Sequence, residues 1–292
     1  MAIAVAKFIV AFASGSSAML SESIHSTVDT LDQLLLLLGI HLGKRPPDVE
    51  HPFGHGQEIY FWSLIVSVLI FGVGGGMSFY EGLTRILGHA RLEDPTWNYV
   101  VLGIAACFEG TSFLIGFRKL RAARNGRSIW RTFRESKDPS LLTVVFEDSA
   151  ALCGLALAFC GVFFGHLFRL PVLDGIASMA IGLLLVVVAA LLARESRSLL
   201  LGEAAGAPVR EGIEKVLRED PAVERAGGVL TMHFGPDEIL LNVDVQFRRD
   251  LDASELEAAV DRLESRIREG YPKVKRIFLG VQSFKPAGAH PH

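Results

Sequence analysis

Cysteine, tryptophan and tyrosine are scarce in this 292-residue chain, at three, three and four residues. The cysteines, Cys107, Cys153 and Cys160, all fall inside apolar runs. An odd set placed there argues against a disulfide framework and fits small packing residues. Net charge is also low, at −3, and points to no class of charged partner; nucleic acid is not expected. The N-terminal apolar run lacks a small-residue cleavage site that would leave a sensible mature start, so no cleavable signal peptide is expected.

Apolar residues are abundant instead. Half of the chain is hydrophobic and the mean hydropathy is +0.36, too apolar for an ordinary soluble protein. Charges gather between apolar runs and after residue 194, which predicts a membrane bundle followed by a soluble domain. A spanning helix needs roughly 20 apolar residues. Six segments qualify, near 2–17, 19–42, 58–80, 97–117, 140–168 and 172–193. Lys7 interrupts the short first segment and is expected to snorkel toward the nearer surface. Gly72, Gly74, Gly75 and Gly76 in the third read as helix packing, because no strand precedes them as a phosphate loop requires.

Basic residues set the orientation. Arg118, Lys119, Arg121, Arg124, Arg127, Arg131, Arg134 and Lys137 separate spans four and five. Lys44 and Arg45 follow span two, and Arg194 and Arg197 follow span six. This pattern predicts a multi-pass membrane protein with both termini cytoplasmic; a bacterial plasma membrane is expected, and an organelle membrane would show the same pattern. The basic 118–137 segment reads as a topology determinant or as a contact with anionic membrane lipid.

The domains are expected at 1–204 (six-helix transmembrane bundle), 205–285 (cytoplasmic α+β domain) and 286–292 (loose tail). In the second, Pro208–Asp220 patterns as a helix. Gly228–Phe234 and Glu238–Phe247 pattern as strands around the turn signal Gly235-Pro-Asp. Ser254–Glu269 is a second helix, with Asp252 or Ser254 as cap candidates and Glu255 and Glu257 in its first turn. Lys275–Ser283 is a third strand, giving the order αββαβ with helices on one face of a sheet.

The chemistry lies in the spans. Glu22, His25, Asp29 and Asp32 are spaced three, four and three apart, which puts them on one stripe of a helix otherwise built for lipid. Ionisable groups in hydrocarbon face a bundle interior or a water cavity, so the stripe predicts a polar pathway. Glu147 and Asp148 lie near the middle of span five, followed by the small residues Ser149, Ala150, Ala151 and Gly154, which would let span two approach. His25, Asp29, Asp148 and Glu147 together offer one nitrogen and several carboxylate oxygens. That set suits Zn²⁺ and also Mn²⁺, Fe²⁺, Co²⁺ or Cd²⁺; a His–Asp pair that only ties helices together is the bland alternative. Glu109 either lines a proton route or bonds to Ser112 and its neighbours. Glu22 and Asp32 read as entrance groups at the two ends of the stripe, and Asp174 as interfacial. In the loop after span two, Asp48, His51 and His55 are either a second metal site or plain surface residues.

Leu20-Ser-Glu-Ser-Ile-His-Ser-Thr-Val-Asp and Arg45-Pro-Pro-Asp-Val-Glu-His-Pro-Phe-Gly-His-Gly resemble the cation diffusion facilitator family. Phe133-Arg-Glu-Ser-Lys-Asp-Pro and Phe146-Glu-Asp-Ser-Ala-Ala resemble its mitochondrial zinc-transporter branch. The resemblance covers essentially the whole chain. It implies a homodimeric metal/proton antiporter, not an enzyme, that exports Zn²⁺ from the cytoplasm; export of manganese, iron, cobalt or cadmium, or a non-transporting metal-sensing scaffold, are the alternatives. It places the transport site at His25, Asp29 and Asp148 and a loop site at Asp48, His51 and His55. The fourth transport ligand would fall at Val144, which cannot coordinate. Glu147 is the nearest substitute, rotated by about 100° from Asp148 on an ideal helix, and serves either as a ligand or as a proton carrier. In the soluble domain only His233 suits the metal site that many relatives carry, with Asp244 across from it at best. His290 and His292 are not expected to be ligands.

Overall fold

The computed structural model describes residues 2–88, 95–123 and 139–282. Most of the basic 118–137 stretch, the Phe133-Arg-Glu-Ser-Lys-Asp run and the 286–292 tail lie outside the described residues. The chain forms two compact units, one of residues 1–42 and 58–197, the other of residues 43–57 and 198–292.

The first unit is helical. Its helices are α1 (Ala2–Ser14), α2 (Ser17–Gly43), α3 (Glu58–Leu69), α4 (Met77–Leu87), α5 (Thr96–Ala123), α6 (Pro139–Leu167) and α7 (Val172–Leu200). A π-helical stretch, Ile70–Gly76, carries α3 directly into α4. The glycines of that stretch do serve packing at Gly75, where a Cβ would run into Val186 and the Gly182 carbonyl of α7. Among the described residues, four helices are long and apolar enough to cross a membrane: Glu58–Leu87, Thr96–Arg118, Val145–Leu167 and Val172–Leu200. The apolar part of α1, Ile3–Ser14, is shorter. At 27 residues α2 has the length, and its polar stripe keeps it out of that group.

The start of α2 is held by side chains. Ser16 Oγ accepts the Met19 N–H at 3.2 Å, as an N-cap does. Asp174, buried at the start of α7, accepts from Ser16 Oγ at 2.7 Å and from the Ser17 N–H at 2.7 Å. A carboxylate there satisfies free helix donors and meets the positive end of the helix dipole.

The second unit contains α8 (Ala207–Glu219), β1 (Val223–Ala226), β2 (Leu230–Gly235), β3 (Glu238–Phe247), α9 (Ala253–Gly270) and β4 (Val274–Val281). β3 is the central strand. β1 and β2 follow one another antiparallel to it, and β4 lies parallel to it. Ile239, Leu241, Val243, Val245 and Phe247 alternate inward along β3, and each such side chain contributes about 1.5–3 kcal/mol on burial. They pack with Ile213 and Leu217 of α8 and Ala259, Leu263 and Ile267 of α9. Asp252 is the cap of α9: its carboxylate accepts the Glu255 N–H while Glu255 accepts the Asp252 N–H, a capping box.

The observed order is therefore αβββαβ, one strand more than the sequence predicts. β1 escapes sequence reading because Val-Glu-Arg-Ala is four residues long, does not alternate, and pairs with β3 through a register shift.

Candidate metal-binding sites

The polar stripe of α2 comes to lie inside the first unit. Glu22, His25 and Asp32 are buried, and Asp29 is largely so. Small residues make this possible. Ala150 and Ala151 of α6 are buried, and a Cβ on Gly154 would meet Glu22 Oε1, so glycine there leaves room for the Glu22 carboxylate. His25 Nδ1 stands 3.3 Å from Asp29 Oδ1, one helical turn on.

A cavity of about 290 Å³ opens beside this stripe. Asp29, Ser26 and Gln33 of α2, Glu109 and Ser112 of α5, and Glu147 and Asp148 of α6 line it. Ser112 Oγ donates to Asp148 Oδ2 at 2.9 Å. Among the described residues none donates to Glu147 Oε1, to Asp29 Oδ1 or to the two carboxylate oxygens of Asp32, and neither ring nitrogen of His25 makes a hydrogen bond. Buried carboxylate oxygens without a protein donor are costly, and a cation or protons relieve that cost. The cavity thus gathers Asp29, Glu147 and Asp148. His25 reaches it only through Asp29 and does not line it.

Lys7 is placed differently from its expected position. It does not snorkel: it is fully buried, with Nζ 2.6 Å from Ser26 Oγ, 3.2 Å from Glu22 Oε2 and 3.7 Å from Glu109 Oε1. Glu22 is accordingly an ion-pair partner inside the bundle rather than an entrance group, and Ser112 bonds Asp148 rather than Glu109. The sequence holds one hint of this: Lys7 sits near the middle of its short apolar helix, too far from either end to escape easily.

The loop cluster is tighter. Among the described residues, Asp48, His51 and His55 are the one group of three or more potential ligands whose donor atoms all lie within 4.8 Å of one another. The turn depends on Gly54, at φ +87°, whose N–H bonds the His51 carbonyl at 2.9 Å and returns His55 to within 3.0 Å of Asp48. The His51 N–H and the His55 ring hold the exposed Asp48 carboxyl below its ordinary range, so it stays ionised. Phe53 of the same loop packs against Phe234 with the rings tilted, and Arg276 lies over the Phe53 ring while donating to the Phe53 carbonyl at 3.2 Å.

His233 is buried on β2, its N–H bonded to the Glu203 carbonyl at 3.1 Å. Ile239, not Asp244, stands across from it, because Asp244 lies farther along β3 and faces Gly280 of β4. The expected His233–Asp244 pairing is thereby corrected.

Residues 1–201 match the family pattern described as the cation efflux transmembrane domain. The chain is 30% identical over 314 residues to the mitochondrial proton-coupled zinc antiporter SLC30A9 of Homo sapiens, covering 94% of this chain and 55% of that protein. It is 30% identical over 243 residues to metal tolerance protein C4 of Arabidopsis thaliana, covering 82% of this chain and 53% of that protein. Magnetosome protein MamM of Paramagnetospirillum magneticum is 24% identical over 246 residues, covering 82% of this chain and 72% of that protein. The chain spans about half the length of the first two relatives. With the transmembrane pattern matched over residues 1–201 and these relatives along most of its length, the chain belongs to the cation diffusion facilitator, or cation efflux, family.

Proposed function

We propose that this protein exports a divalent transition metal, Zn²⁺ first among the candidates, from the cytoplasm in exchange for protons. The observation that carries this reading is the cavity in the helical unit where Asp29, Glu147 and Asp148 meet, with acceptor oxygens of Asp29 and Glu147 to which no described residue donates. His25, Asp29 and Asp148 are the proposed transport ligands, and Glu147 is the fourth ligand or a proton carrier. Metal binds the neutral imidazole and the carboxylate forms, so binding displaces protons and release takes them back. Asp48, His51 and His55 form the proposed loop site; His233 alone offers too few donors for one. Six spans with both termini on the cytoplasmic face, and a homodimer joined at least through residues 205–285, complete the proposal. Similarity to a mitochondrial proton-coupled zinc antiporter supports the cargo and the coupling.

Purified protein in liposomes loaded with a zinc-sensitive dye tests this. An imposed pH gradient should drive zinc uptake in the wild type, and Asp148→Ala should abolish it. Uptake indifferent to both the gradient and the substitution would remove the reading. Zinc that binds without crossing would favour a sensing scaffold. Native mass measurement showing only monomer, with and without zinc, would remove the homodimer.

A further inference from the structure

The proposed metal site is crowded with acids. Asp29, Glu109, Glu147 and Asp148 all line one cavity, and Glu22 stands behind it. A transporter must hold its cargo firmly enough to collect it and weakly enough to release it. Four carboxylates acting together on a divalent ion in a low-dielectric site would favour capture over release. Something must offset them.

Among the described residues, the cation fixed against these acids is Lys7. Its ammonium is fully buried, at 2.6 Å from Ser26 Oγ and 3.2 Å from Glu22 Oε2, and 3.7 Å from Glu109 Oε1. Ser26 and Glu109 both face the cavity, so the ammonium stands directly behind two elements of its wall. Lysine suits this place: it is a compact point charge on a flexible stem. We propose that Lys7 is an affinity- and release-determining residue, a tethered cation that competes with the transported metal for the negative field of the cavity. It acts through Glu109 and Glu22 and does not touch the metal. This rests on the reading of the cavity as the metal site.

The alternative is a plain tie among α1, α2 and α5. The two predict different signs. Lys7→Gln and Glu22→Gln break the same tie, and a tie would make them weaken zinc binding alike. Charge competition makes them opposite.

Full-length protein is reconstituted in liposomes, and KM and kcat for zinc uptake are measured at pH 8. Lys7→Gln should lower KM about tenfold or more and lower kcat with it, because the deeper well slows release. Glu22→Gln, which leaves the Lys7 charge less opposed, should raise KM by about the same factor. The charge-balanced pair Lys7→Gln/Glu22→Gln should return KM to within about threefold of wild type, and Lys7→Arg should stay in that range, if charge governs. Should Lys7→Gln alone fail to fold, Glu22→Gln is compared with the charge-balanced pair: a KM for Glu22→Gln that is lowered or unchanged, or a KM for the pair as high as that of Glu22→Gln, overturns the proposal. Single variants that shift KM the same way also overturn it, provided Asp148→Ala abolishes uptake. Uptake that survives Asp148→Ala overturns the reading of the site itself, and the Lys7 proposal with it.

Discussion

Arg262→Met should loosen one corner of the second unit by about 2–3 kcal/mol. Arg262 donates to both oxygens of Asp220 at 2.8 Å, from Nε and Nη2. Asp220 side-chain atoms are fully buried while the Arg262 side chain is 44% exposed. Breaking a fully buried pair costs about 3–5 kcal/mol, and an exposed pair is worth about 1 kcal/mol or less. This pair lies between those limits, and Asp220 keeps one bond from the Ala222 N–H at 3.0 Å, which holds the loss to about 2–3 kcal/mol. Methionine preserves much of the apolar stem, so the change reports mainly on the lost bonds. Hydrogen exchange of the full chain in detergent should show protection at the end of α8 and in β1 falling about 30- to 150-fold. The pH dependence follows from the sign of the shift. The Arg262 hydrogen bonds hold the Asp220 carboxyl below its ordinary value of 3.8. Stabilisation is therefore complete above that value and is lost as pH falls through the lower folded one. The difference between wild type and variant should shrink below about pH 4. Protection unchanged within threefold at neutral pH would refute the argument.

Three further outcomes are expected. Leu263→Ala, at a fully buried core position of α9, should lower the stability of the second unit by about 2–4 kcal/mol in a urea titration followed by hydrogen exchange. Gly154→Val places a side chain where Glu22 now sits, so zinc uptake should fall at least tenfold, by the order of effect that small displacements in a site produce; uptake at the wild-type rate would show that α2 and α6 need no such approach. His51→Ala/His55→Ala removes two of the three clustered loop donors, and equilibrium dialysis should then find one zinc fewer per chain.

How far the sequence could be read depended on whether the signal was periodic. The inward alternation along β3 and the Asp252–Glu255 cap are local patterns, and both were legible. The stripe Glu22, His25, Asp29, Asp32 was legible as a face of α2, because helical spacing alone defines it. The extra strand β1 was not, since four residues without alternation carry no period. Lys7 was misread because snorkelling is judged from a residue's own helix, whereas its partners Glu22 and Glu109 come from two others. Ser112 was named in the sequence reading beside Glu109, yet its partner Asp148 lies 36 residues away on α6, a pairing that only packing decides.

The central claim is that the acidic cavity of the helical unit holds the transported metal. An experimental structure of the full protein with zinc, located by its anomalous scattering, tests it most directly. The account predicts an ion in the cavity within about 2.0–2.2 Å of carboxylate oxygens from Asp29 and Asp148, with His25 or Glu147 completing the shell. An ion found at Asp48, His51 and His55 while the cavity stays empty at saturating zinc would contradict it.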